Sequence, residues 1–187
     1  MEIIAEIAQG YEGDFNISQK LINAAKKSNA HAIKFQMVYA DELATQDYKY
    51  YNLFKKLEMG DNQWKSLIKQ SKKKKLKFYI DIFGEKSLKK AISFKSDGIK
   101  IHPTDLNNFQ FLKKISSSKI KNIFLGVGGA NLDEIHQSLK ILNKKQVTLL
   151  FGFQSYPTPF NTNQISRFLN IKDLLKRKFG FSANCKI

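Results

Sequence analysis

The chain has 187 residues, 42% of them hydrophobic, which is apolar material enough for one buried core and excludes a disordered tail, a collagen or a coiled coil. Lys and Arg total 32 against 16 Asp and Glu, a formal charge of +16. Arg occurs only at Arg167 and Arg177, so the forked donor that suits guanine edges is scarce, and a nucleic-acid module is not expected. Cys185 is the only cysteine, which excludes an intrachain disulfide. The N-terminal stretch lacks the basic and apolar regions of a signal peptide. No run of about 18 apolar residues offers a membrane span. A soluble, cytoplasmic protein is expected.

In chain order, short β-rich runs alternate with longer amphipathic ones. Ile3 to Ile7 reads as a strand, and Ile17 to Lys27 as a helix capped by Asn16 or Ser18. Ala30 to Phe35 is a second strand, and the Tyr-rich stretch from Met37 to Gly60 is partly helical. Asp61 caps a helix through Trp64, Leu67 and Ile68 that ends in the run Lys72 to Lys75, where cations suit the helix dipole. The remaining strands are predicted at 78–82, 98–101, 122–127, 147–153 and 178–182. The helices between them fall at 87–94, 106–115, 132–142 (Asn131 as cap) and 165–175. Such alternation implies βαβ units with right-handed crossovers and a parallel sheet, either barrel or open. No Gly, Ser or Pro linker divides the chain, so a single domain over 1–187 is expected. In both architectures function collects at the carboxyl ends of the strands.

Those ends carry unusual residues. Glu6 is an acid inside the apolar run Ala5-Glu6-Ile7. Lys34 and Gln36 share one face of the second strand, and Lys100 and His102 repeat the device on the fourth, with Pro103 breaking that strand. A lysine at the end of an interior strand is costly unless it meets an anion, so Lys34 and Lys100 are candidate grips for a phosphate or carboxylate. The turn Gly126-Val127-Gly128-Gly129-Ala130-Asn131 exposes backbone N–H groups before a helix, an anion cradle without Walker or dinucleotide spacing. Tyr156, in Tyr156-Pro157-Thr158-Pro159, offers an aromatic face to a sugar. His31, His102 and His136 lie too far apart in sequence to form a metal cluster, and Cys185 has no paired histidine.

Taken together, these pieces resemble the sialic acid synthase family: Ala5-Glu6-Ile7 then Gly13, Lys34-Phe35-Gln36, Lys100-Ile101, the Gly-rich turn with Glu134-Ile135, Tyr156-Pro157-Thr158-Pro159, and Gly180-Phe181-Ser182. The resemblance implies an α/β, TIM-type (β/α) barrel. It also implies condensation of phosphoenolpyruvate with an N-acyl amino hexose to give a nonulosonic acid, with release of phosphate, in the biosynthesis of lipopolysaccharide or other surface glycans. By match, Lys34 and Lys100 grip phosphoenolpyruvate, Glu6 faces the reacting centre, Gln36, Asp105, Gly128 and Ser182 order the substrates, and Tyr156 lies near the sugar.

The chain also departs from the family. A divalent metal, usually manganese, is held there by two histidines, at positions that are Phe151 and Asn184 here. Asn is a poor manganese ligand and Phe is none. The Ser that follows the fourth-strand Lys is Pro103, and the Ser that opens the fifth-strand turn is Gly126. About seven strands are counted, short of the eight of a barrel, and the family's C-terminal antifreeze-like domain is not in the sequence. The barrel is therefore expected to be incomplete, or closed by a second copy or a partner chain. Two other readings stand beside the synthase: a relative that only binds ligand or a partner, and a metal-free enzyme in which Lys34 or Lys100 forms a Schiff base.

Overall fold

The computed structural model describes residues 1–152, 165–175 and 177–182. Within them seven strands alternate with helices: β1 (Ile4–Ala8), α1 (Phe15–Lys27), β2 (Ala32–Gln36), α2 (Ala40–Leu43), α3 (Tyr51–Lys56), α4 (Asp61–Lys73), β3 (Lys77–Ile82), α5 (Glu85–Ser93), β4 (Gly98–Ile101), α6 (Phe109–Ser117), β5 (Asn122–Gly126), α7 (Leu132–Ile141), β6 (Gln146–Phe151), α8 (Ile165–Leu175) and β7 (Lys178–Phe181). The chain divides into two compact units, Met1–Ile99 and Lys100–Ile187.

In the first unit β1, β2 and β3 pair in parallel, with Glu6 opposite Lys34 and Gln36 opposite Asp81. Side chains alternate across a strand, so one face carries Ile33, Phe35, Phe78 and Ile80 while the other carries Lys34, Gln36, Tyr79 and Asp81. The apolar face is the core. Phe35 stacks on Phe78 at 5.2 Å, and Trp64 of α4 meets Tyr11 and Phe35 edge-on at 5.7 and 5.9 Å. Tyr11, Trp64, Phe35 and Phe78 are fully buried. Aromatic pairs of this geometry add about 0.5–1.5 kcal/mol each beyond their buried area.

Helix α1 starts two residues earlier than its apolar spacing predicts. Its cap is Asp14, whose carboxylate accepts the N–H groups of Asn16 and Ile17 at 2.6 and 2.9 Å, rather than Asn16 or Ser18. Gly13 makes that entry: its φ is +74°, and a Cβ there would stand 2.0 Å from the carbonyl oxygen of Lys56. For α4 the cap is Gly60, with Asp61 the first helical residue and Gln63 accepting the Gly60 N–H at 2.8 Å.

In the second unit β5, β6 and β7 pair in parallel, Leu125 opposite Leu149 and Leu149 opposite Phe179. Asn131 and Glu134 form the expected reciprocal cap of α7, at 2.9 and 2.8 Å. The helix predicted at 106–115 starts three residues later and runs to Ser117. Pro103–Asp105 makes a 3₁₀ turn, and α6 begins at Phe109 because Asn108 caps it through the Phe111 N–H. None of the described helices is long and apolar enough to cross a membrane.

Candidate functional site

The polar face of the first unit gathers charge at the carboxyl ends of three neighbouring strands. Lys34, its side chain 4% exposed, pairs with Asp81 at 2.7 Å and with Glu6; the Asp81 side chain is fully buried and that of Glu6 is 40% exposed. Register explains the meeting: Glu6 faces Lys34 across β1 and β2, and Asp81 lies two positions beyond the Tyr79 that faces Lys34, on the same face of β3. A register shift between Glu6 and Ala8 bends β1 there, and Ala8 takes a φ of +50°. This left-handed residue costs roughly 1–2 kcal/mol and turns its N–H onto the Glu6 carboxylate at 3.0 Å. Bulges of this kind recur next to functional sites.

Burial, the largest single influence, pushes the Lys34 ammonium down, but Asp81 and Glu6 together outweigh it and hold Lys34 above the ordinary lysine value. The lysine therefore stays charged. Tyrosines nearby are pushed the same way, chiefly by burial: Tyr11 and Tyr79 well above the usual phenol range and Tyr39 up to about 12, the last also under the charges of Asp61, Glu42 and Glu58.

Groups raised in the folded state keep protons that the unfolded chain releases, so their contribution is whole below the unfolded values near pH 10 and is lost above them. The melting midpoint, followed by circular dichroism, is expected to hold level to about pH 10 with respect to these groups and to fall steeply from there toward pH 12. A midpoint unchanged at pH 12 would contradict this.

Asp81 does not figure among the residues that the sequence singles out, although it carries the same mark as Glu6: an acid between apolar residues, Ile80-Asp81-Ile82, at a strand end. Gln36 closes β2 beside it, and the Gln36 carbonyl accepts the Tyr11 hydroxyl at 3.0 Å.

The other predicted residues lie in the second unit. Lys100 is half-buried on β4. Gly128 lines a cleft of about 380 Å³ with Pro103, Asn107, Gly129 and Glu134, and Asn107 donates to the Glu134 carboxylate at 2.7 Å. Asp105 does not line this cleft; its carboxylate accepts from Asn108 at 3.2 Å. Ser182 follows β7 and donates its N–H to the Phe151 carbonyl at 2.6 Å. Tyr156 and Asn184 lie outside the described residues. The two replaced serines are coupled in space, since a Cβ on Gly126 would stand 2.6 Å from Cδ of Pro103.

Phe151, at the first metal-histidine position, is 5% exposed and packs between Phe168 at 5.2 Å and Phe179 at 5.8 Å. Among the described residues no three of His, Cys, Asp and Glu are grouped to hold a metal ion. The family's metal site does not fit the residues present at this position.

In each unit, parallel strands paired in chain order and joined through helices are the repeating element of (β/α)-barrel-type proteins. The sequence profile of the NeuB family matches residues 21–184, and the chain belongs to that family. It is 31% identical over 203 aligned positions to the N,N'-diacetyllegionaminic acid synthase of Campylobacter jejuni, covering 98% of this chain and 60% of the relative. It is 28% identical to the N-acetylneuraminate-9-phosphate synthase of Drosophila melanogaster, covering 83% of this chain and 46% of that protein.

The crystal structure of N-acetylneuraminic acid (sialic acid) synthetase from Leptospira borgpetersenii superposes with a TM-score of 0.92 at 27% identity, over 98% of this chain and 65% of that one. The α/β, (β/α)-barrel-type fold expected from the sequence is thus the fold found, and the relatives are nonulosonic acid synthases of carbohydrate biosynthesis. The chain spans about half the length of the curated relatives it matches.

Proposed function

We propose that the protein takes part in nonulosonic acid synthesis, joining phosphoenolpyruvate to an N-acyl amino hexose with release of phosphate. The observation that carries this reading is the lysine held charged by Asp81 and Glu6 at the strand ends of a NeuB-family chain. Phosphoenolpyruvate is a small, highly charged anion, and Lys34 and Lys100 are its proposed grips. Glu6, half-exposed and anchored by the Ala8 N–H, is the one carboxylate of the trio that water and substrate can reach, which suits a group facing the reacting carbons. Asp81 acts through Lys34, as its fixed counter-ion. Gln36, Asp105, Gly128, Tyr156 and Ser182 are proposed to order the two substrates.

A lysine kept charged by two carboxylates is a poor Schiff-base nucleophile, so the reading has Lys34 act as a cation. No step is routed through a metal, because Phe151 offers no ligand. The reaction is placed in the cytoplasm, and its product is assigned to surface glycans.

The test is phosphate release from phosphoenolpyruvate, on a panel of N-acyl hexosamines with and without divalent ions. Glu6→Gln and Lys100→Met are expected to lower the rate at least about 100-fold, the order of magnitude of one acid–base or charge-stabilising group. Phosphate release independent of the sugar, or unaffected by both substitutions, would overturn the assignment.

A further inference from the structure

A second concavity lies at the opposite ends of the same strands. It is a cleft of about 530 Å³ lined by Glu2, Lys26, Asn29, His31, Lys75 and Lys77 together with Met1 and Ala30. His31 immediately precedes β2 and Lys77 opens β3, whereas Lys26 lies in the last turn of α1 and Lys75 follows α4. Three lysines therefore face one carboxylate. Glu2 is already committed: Lys77 pairs with it at 2.9 Å and the Tyr79 hydroxyl donates to it at 2.9 Å. Burial opposes its ionisation, but these two partners outweigh that and hold its carboxyl below the usual range.

Lys26 and Lys75 have no ion pair among the described residues. His31 accepts the Ile3 N–H at its Nδ1, 3.1 Å away, which puts the neutral ring's proton on Nε2 as a free-standing donor. Like charges in one concavity repel unless a counter-ion bridges them.

We infer that this cleft binds a compact polyanion of the oligophosphate type, bridged by Lys26 and Lys75 and met by His31 Nε2. Its volume is that of a small-molecule site. No Phe, Tyr or Trp lines it to stack a base, which favours a small anion over a nucleic-acid strand. The site stands apart from the Glu6–Lys34–Asp81 cluster and does not rest on the synthase reading.

Calorimetric titration of the full chain with inorganic triphosphate at about 0.15 M salt, where diffuse charge attraction is largely screened, tests it. One saturable site is expected, weakened at least about tenfold in Lys26→Glu/Lys75→Glu. It should be unchanged in Lys119→Glu/Lys121→Glu, which removes the same charge from exposed positions elsewhere, and unchanged in Glu6→Gln. Should the glutamate pair not fold, Lys26→Gln/Lys75→Gln decides in the same direction with a smaller loss. Equal weakening in both charge-reversed pairs would make the binding general surface attraction and overturn the proposal. So would affinity untouched by changes at Lys26 and Lys75, or the absence of saturable binding.

Discussion

Lys34→Met is expected to lower folding stability by about 3–5 kcal/mol, and Lys34→Met combined with Asp81→Leu to return most of it. The single change leaves the fully buried Asp81 carboxylate without the cation 2.7 Å away, and an uncompensated buried charge costs more than the pair contributes. The double change replaces a buried ion pair by apolar groups of similar size, a replacement that is often neutral or stabilising. Glu6 adds little to the penalty because its side chain is 40% exposed and keeps the Ala8 N–H. Urea unfolding of the three proteins reads the result. The double variant should be folded and inactive in the phosphate-release assay, which separates stability from chemistry. A single variant as stable as the parent would show that Lys34 is not the counter-ion of Asp81.

Phe151→His is expected to cost about 3 kcal/mol and to create no tight manganese site. The imidazole would leave part of the space between Phe168 and Phe179 unfilled and would bury ring nitrogens among aromatic faces. Core Phe truncations cost about 3–5 kcal/mol and an unpaired buried polar group about 1–3 kcal/mol. Urea midpoints measure the first part and manganese titration the second. A variant of undiminished stability, or one that binds manganese tightly, would mean that the aromatic packing at Phe151 leaves room for a ligand after all.

The strand–helix alternation was legible because it depends on local pattern. Periodicity marks β4 and α8 at their observed ends and the other strands to within about two residues. The Tyr-rich stretch 37–60 has no period to read, and it folds into the short α2 and α3. At the start of α1 three capping residues stand within five positions, and only the backbone decides for Asp14. The site divides in the same way. Glu6 and Lys34 stand out as charges within apolar strands, which is a local signal. Asp81 carries that signal too, but its meaning depends on register across β2 and β3, a non-local fact. Phe151 could be recognised as unable to bind a metal, whereas its place in a core of three phenylalanines came from the packing.

The contact between Pro103 and Gly126 also constrains the order in which such a chain can change. With the Pro103 ring where a side chain on residue 126 would begin, serine cannot return at 126 until position 103 has given way. Starting instead from serine at both places, the glycine has to be acquired first. The two positions form a ratchet: each substitution is neutral in one sequence background and harmful in the other, so an exchange tried singly in a relative will misjudge what the pair tolerates.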